Sequence, residues 1–476
     1  MKLFRIISVF LLVCMTLSLF SCANVAPSNG GDERREPYTN VPNADGEVTS
    51  PGSKPGASDS KGSAGGFFDG IFGDRAEAED AYMPEGTYAA STGEVMEAPE
   101  MEYPAMDAPT GADDVYMPGK PYVDDQKVYS AGTLTAGEWK DNKNFADWLA
   151  VLEKNEGQYA KIAESWGLET TERVVVTVKN GEVPVKNAEV ELLDENEQVL
   201  WRAVSDAEGK AYLFNNVTKS TQDFTPVYVG GEPKHIRVSA RGDQDMTLTT
   251  FYSGESEIAV NLEAKNAPVT LDLMLVVDTT GSMGDELEYL KAELKDVITR
   301  VSEAGITNVR TSVNFYRDEG DEYVVRYFGF RDSIDEAVYN MSTQYASGGG
   351  DYPEAVHTAL ENAVYDHAWD EGDSVKLMFL VLDAPPHENP AVMASLQKTV
   401  ADAAAKGIRI IPVLSSGTDG VCETIYRSMA ILTGGTYAFL TNHSGIGNPH
   451  ADQSVGAFNV EKLNDLMVRV ITEYCQ

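Results

Sequence analysis

At 476 residues, with 75 acidic against 37 basic side chains and a formal net charge of -38, the chain is strongly acidic and long enough for two or three domains. That charge argues against a nucleic-acid partner, whose phosphates it would repel. Four cysteines are too few for a disulfide framework of any size, and no Cys-x-x-Cys or Cys/His cluster offers a zinc site.

Residues 1–22 have the form of an export signal, with Lys2 and Arg5 ahead of an apolar run from Ile6 to Phe20. Leu19-Phe20-Ser21-Cys22 resembles the lipobox of bacterial lipoproteins. The resemblance implies cleavage before Cys22, lipidation of its thiol, and an extracytoplasmic cell-envelope location held by a lipid anchor in the membrane. An uncleaved membrane anchor is the alternative, but the apolar run is short for a span. Residues 23–130 are rich in Gly, Pro, Ser, Ala, Asp and Glu and lack a periodic apolar face, which predicts a disordered acidic linker. Its r.m.s. reach is on the order of 60 Å. Phe67-Phe68 with Ile71-Phe72, and Tyr-Met-Pro at 82–84 and again at 116–118, interrupt its monotony.

Within 131–168, Phe145, Trp148, Leu149 and Leu152 fall on one helical face and Tyr159, Ile162 and Trp166 on a second. This predicts one or two amphipathic helices docked on the neighbouring domain, a groove ligand being the runner-up. The period changes over 169–265, where Val174-Val176-Val178, Val190-Leu192 and Val199-Trp201 alternate between turn signals such as Asn180-Gly181. Pro184-Val185, Asn187-Ala188 and Asp206 to Ala211 resemble the transthyretin-like sandwiches appended to carboxypeptidases, which implies a small antiparallel β-sandwich and no activity. Arg241-Gly242-Asp243 spells an integrin-recognition tripeptide, but a three-residue match in a turn-prone stretch carries little weight.

Residues 266–476 alternate strands with helices, with strands at 271–277, 309–316, 323–329, 375–382, 408–414 and 436–440. A helix follows the first strand, and others lie near 333–343, 352–367, 389–406, 421–433 and 460–475. The pattern predicts an α/β fold, a doubly wound six-stranded sheet with one antiparallel pair. The apolar run Leu271 to Val277 ends in Asp278-Thr279-Thr280-Gly281-Ser282, followed by a helix with Leu287, Leu290, Leu294, Val297, Ile298 and Val301 at helical spacing. Asp278, Thr280 and Ser282 alternate, so their oxygens converge just past the carboxyl end of a strand, where ligands of such sheets sit. One carboxylate and two hydroxyls are a hard-oxygen set suited to Mg²⁺, Mn²⁺ or Ca²⁺. Cys422 opens the helix after the fifth strand and Cys475 closes the terminal helix, which places them at opposite edges of the sheet and beyond disulfide reach.

Asp278 to Ser282 resembles the metal-ion-dependent adhesion site of von Willebrand factor A-type domains, with Thr280 in place of the middle Ser of Asp-x-Ser-x-Ser. Ser347 to Glu354 is similar to the Gly-rich second metal loop of some bacterial members, and Leu382 to His387 to the third loop. The resemblance implies a Mg²⁺-type ion held by Asp278, Thr280 and Ser282, with Asp383 and Asp351 acting directly or through water. It implies a non-enzymatic protein that binds an extracytoplasmic protein or peptide partner through a carboxylate in an open coordination position. Asp351 reads equally well as a helix N-cap, since Asp351-x-x-Glu354 has capping-box spacing. Asp383 reads also as a turn residue. A metal-dependent hydrolase, with Asp318 or Glu319 as base, and a structural protein with an idle site remain as alternatives.

Overall fold

The computed structural model describes Glu47–Val48 and residues 129–476, apart from 216–217, 221–225, 229–230, 241–245, 253, 267–268 and 307. The export signal, Cys22, both Tyr-Met-Pro runs, and Arg241-Gly242-Asp243 lie outside those residues. So does the linker, except for its last two residues and Glu47–Val48, which form a two-residue strand, β1.

The segment expected to be wholly helical begins instead with a strand, β2 (Thr135–Trp139), followed by α1 (Phe145–Leu152) and α2 (Lys154–Ser165). Five residues with a central glycine carry no strand periodicity of their own, and pairing supplies what propensity does not. Gly137 is required there, because a Cβ would lie 2.7 Å from the Phe439 ring and 2.6 Å from that of Phe458.

Next come β3 (Arg173–Asn180), β4 (Val183–Pro184), β5 (Glu189–Asp194), β6 (Val199–Val204), β7 (Lys210–Phe214), β8 (Thr218–Ser220), β9 (Pro226–Tyr228), β10 (Pro233–Ser239), β11 (Met246–Thr250) and β12 (Glu257–Asn261). They form two four-stranded sheets, one in the order β11-β10-β5-β6 and one in which β3 pairs with β12, β4 and β7, while β8 and β9 pair with each other. The β3–β12 pair is parallel, so the sandwich is not wholly antiparallel.

The last region contains β13 (Leu271–Asp278), α3 (Gly284–Glu303), β14 (Val309–Tyr316), β15 (Val325–Arg331), α4 (Ile334–Ser342), α5 (Val356–Tyr365), β16 (Val375–Leu382), α6 (Pro390–Lys406), β17 (Ile408–Leu414), α7 (Gly420–Thr433), β18 (Tyr437–Leu440), β19 (Glu461–Lys462) and α8 (Leu463–Cys475). The six strands expected here belong to a nine-stranded sheet of order β1-β15-β14-β13-β16-β17-β18-β2-β19, with β1, β2 and β19 added at its edges. The β14–β15 pair is antiparallel. All eight residues of β13 are buried, and they alternate between two cores. Leu271, Leu273, Leu275 and Val277 pack with α3 and α8, whereas Met274 and Val276 face the core shared by α5, α6 and α7.

That second core runs without a break into the sandwich (Val176, Leu192, Ile236) and into Trp148, Ile162 and Trp166 of the helical segment. Gln397 on α6 donates to the Trp166 carbonyl at 2.9 Å, and Arg409 donates to the Ser205 carbonyl at 3.1 Å. Among the described residues, Cys422 and Cys475 form no disulfide, and both are buried.

One buried group makes stability pH-dependent. His367 is 8% exposed, edge-on to Tyr327 and Phe330, with its ring nitrogens within 3.4 Å of Ser312, Asn314 and Asn362. Burial pushes its pKa down to about 4. The unfolded chain therefore takes up the proton first, near pH 6.5, and stability is lost as pH falls toward 4, by about 3 kcal/mol in all. Urea unfolding at about pH 7.5 and pH 4 should show His367→Gln losing less stability than wild type by that amount. Equal losses would refute the assignment.

Candidate metal centre

Thr279 anchors the loop that leaves β13. Its amide donates to the Tyr316 carbonyl at 2.9 Å, its hydroxyl donates to the same oxygen at 2.9 Å, and its Oγ1 also lies 2.8 Å from the Tyr323 hydroxyl. Its carbonyl accepts from the Ser347 amide at 3.0 Å and from Arg317 Nε at 3.2 Å. With Thr279 turned into the fold, Asp278, Thr280 and Ser282 share the other side. The Thr280 amide and hydroxyl donate to Asp278 Oδ1 at 2.8 and 2.7 Å, and Thr280 Oγ1 lies 3.2 Å from Ser282 Oγ.

Asp383, at the end of the adjacent strand β16, accepts a hydrogen bond from Ser282. Asp278 Oδ2 and Asp383 Oδ1 are both buried and have no hydrogen-bond partner among the described residues. Burial raises the pKa of both carboxyls, and for Asp278 repulsion from Asp383 adds to the rise. Two orphaned carboxylate oxygens beside two hydroxyls are an uncompensated arrangement that a hard divalent cation would satisfy, so the residues fit the implied ion. Among the described residues, no three His, Cys, Asp or Glu side chains form a metal cluster by themselves. Any coordination here depends on the hydroxyls.

Asp351 is exposed, and the helix-cap alternative does not hold, since α5 starts at Val356 with Ala355 at its N-cap position and no side-chain cap. The acid that this loop brings inward is Glu354. It is 3% exposed, and burial followed by repulsion from Asp278, Asp318, Asp383 and Asp321 pushes its pKa up to about 9. Its amide donates to the Pro385 carbonyl at 2.9 Å, which joins the second loop to the third. Gly349, at φ +70°, lets the loop pass this closely, since a Cβ would sit 3.0 Å from Glu354 Oε1 and 3.3 Å from Thr280 Cβ. The available sequence signal was position. Glu354 leads directly into the buried Ala355-Val356, whereas Asp351 follows three glycines.

Sequence reasoning also missed Arg317. It is buried, stacked 4.5 Å from the Tyr323 ring and 5.0 Å from that of Tyr345, and it ties the Thr279 and Tyr345 carbonyls together. It thus holds the first and second loops at a fixed spacing. Beside it, Asp318 is buried and lies 2.6 Å from His387 Nε2, and Glu319 approaches His357 at 3.8 Å.

The family model of the von Willebrand factor type A domain matches residues 272–439. A putative ariadne-like RING finger protein of Acanthamoeba polyphaga mimivirus is 29% identical over 191 residues, covering 36% of this chain and 18% of the viral protein. The chain therefore spans less than a fifth of the curated relative it matches. Domains of this family generally mediate protein–protein interaction, often through a divalent ion. From Asp272 in β13 to Phe439 in β18, this α/β sheet with its loops at the strand ends is a von Willebrand factor type A domain.

Proposed function

We propose that the chain is a cell-envelope lipoprotein, anchored through Cys22, that binds a protein or peptide partner through a divalent ion of the Mg²⁺ type. Asp278, Thr280, Ser282 and Asp383 would hold the ion, with Glu354 beside them. The observation that carries this is the pair of buried oxygens without a partner among the described residues, Asp278 Oδ2 and Asp383 Oδ1. When bound, the ion supplies a positive centre for a partner carboxylate. Ser282 orients Asp383, Thr280 orients Asp278, and Thr279 with Arg317 keeps the loop rigid. Non-enzymatic binding is the preferred reading, and the sandwich then serves as a spacer. A hydrolase is the second reading, favoured by the Asp318–His387 pair.

The test is capture from the native envelope by the mature chain with Mg²⁺ and with chelator. We expect a partner retained with Mg²⁺, released by chelator, and absent with Asp278→Asn. Capture indifferent to chelator would refute the metal reading. Turnover of phosphoester or peptide substrates that Asp318→Asn abolishes would favour the hydrolase.

A further inference from the structure

We propose that the partner of the metal face is a basic segment, one that carries Lys or Arg close in sequence to the carboxylate it offers the ion. The cation would lie over the loop Asp318–Glu322, beside the metal loop. This rests on the metal reading above and adds the partner's charge to it.

The loop reads Asp-Glu-Gly-Asp-Glu and reaches the metal loop through the glycines of the second loop. Asp321 Oδ2 accepts from the Gly349 amide at 2.8 Å and from the Asp318 amide at 3.1 Å. Gly348, at φ +82°, has no room for a Cβ beside that carboxylate. The Gly348 carbonyl in turn accepts from the Gly281 amide of the metal loop at 3.1 Å. One glycine therefore separates Asp321 from the turn that would hold the ion.

The bases nearby are committed elsewhere. Arg317 is buried and donates to the Thr279 and Tyr345 carbonyls and to Glu322, while His387 lies on Asp318. Glu319 is largely exposed, with His357 3.8 Å away. Among the described residues, no Lys or Arg forms an ion pair with Asp321, Glu319, Asp351 or Glu354.

Glu354 stands behind this surface. It is 3% exposed, and its Oε2 has no hydrogen-bond partner among the described residues. After burial itself, repulsion from Asp278, Asp318, Asp383 and Asp321 raises its pKa, so it joins the metal acids and the loop in one negative field. A single divalent ion leaves most of that charge uncancelled. A carboxylate arriving alone would be repelled on its way to the open position, whereas one accompanied by a cation would be drawn in. The net charge of -38 adds to the same preference at long range.

The spacing follows from the sheet. β13 and β14 are neighbours, and the loops that leave adjacent strands start about 5 Å apart. The cation should thus lie within about three residues of the acid, since three extended residues span roughly 10 Å.

The test uses three blocked pentapeptides, Gly-Arg-Ala-Asp-Gly, Gly-Ala-Ala-Asp-Gly and Gly-Glu-Ala-Asp-Gly, titrated into the mature full chain with saturating Mg²⁺ and with chelator. We expect the arginine peptide to bind about tenfold or more tighter than the glutamate peptide, with the alanine peptide between them. In Asp321→Asn, and in Glu319→Lys at an exposed position, that ratio should fall to about one or invert. Judging each variant on a ratio removes any change in its own Mg²⁺ affinity. Chelator-sensitive binding that is equal for all three peptides would overturn the basic partner and leave the metal reading standing. Binding that ignores chelator for every peptide would overturn both. A second Mg²⁺ per chain in equilibrium dialysis, lost in Asp321→Asn, would also overturn the proposal, because a metal would then fill the place of the partner's cation.

Discussion

Asp278→Asn is expected to bind no Mg²⁺ and yet, without metal, to unfold at a higher urea concentration than wild type. Asp278 is fully buried beside Asp383, with one oxygen unpartnered, so its charge opposes folding until a cation arrives. Each unit by which burial raises a carboxyl corresponds to about 1.4 kcal/mol between its two protonation states, so the apo gain should be a few kcal/mol near pH 8. Wild type should instead gain about 2.7 kcal/mol from Mg²⁺ at a hundred times its Kd, and the variant nothing.

The pH dependence follows with a definite sign. Glu354 at about 9, with Asp278 and Asp383 also raised, takes up protons in the folded state before the unfolded chain does. Apo wild type should therefore gain stability as pH falls from about 9 toward 5, with His367 acting oppositely below about 6.5. Saturating Mg²⁺ should remove the gain, because protons and cation compete for the same oxygens. Calorimetry of Mg²⁺ binding and urea unfolding with and without Mg²⁺ check both statements. Unchanged Mg²⁺ affinity in Asp278→Asn would end the metal reading.

Replacing Arg427 with Met should cost about 3–5 kcal/mol, a large part of the 5–15 kcal/mol typical of a folded domain. The guanidinium is wholly buried and lies 4.6 Å above the Trp148 ring. It donates to Asp141 at 2.6 and 3.1 Å, to Glu423 at 2.8 Å and to the Ser454 carbonyl at 3.0 Å. Burial pushes the pKa of Asp141 and Glu423 up, and Arg427 opposes that rise in each. Without it, two buried acids lose their counter-charge at the junction between α7 and the segment before the sandwich. Limited proteolysis should then open 131–168 first, and urea unfolding should report the loss. A change under about 1 kcal/mol would show that this contact is dispensable.

The junction also shows why a family match to residues 272–439 understates the folding unit. β2 extends the sheet at β18, and α2 packs on α7, so a chain cut just before β13 would leave both surfaces bare.

What the amino-acid order determined by itself was local. The runs Val375–Leu382 and Ile408–Leu414 are strands over the expected residues, since runs that are apolar but for one basic residue each (Lys376, Arg409), bounded by turn residues, suit a position buried on both faces. Asp278, Thr280 and Ser282 come together as their spacing suggests, although only Thr280 is extended and Ser282 sits in the 3₁₀ turn Gly281–Met283 that follows. Tertiary structure decided the rest. β2 is a strand only because β18 offers it an edge, and its own five residues with Gly137 at the centre carry too little propensity to declare it. Glu354 rather than Asp351 faces Thr280 because the second loop closes on Pro385 of the third, a contact between residues some thirty positions apart. Arg317 clamps two loops that meet only after β13 and β14 have paired. Periodicity reports which face of an element is apolar, but which loop packs against which is set by non-local closure, and no local pattern encodes it.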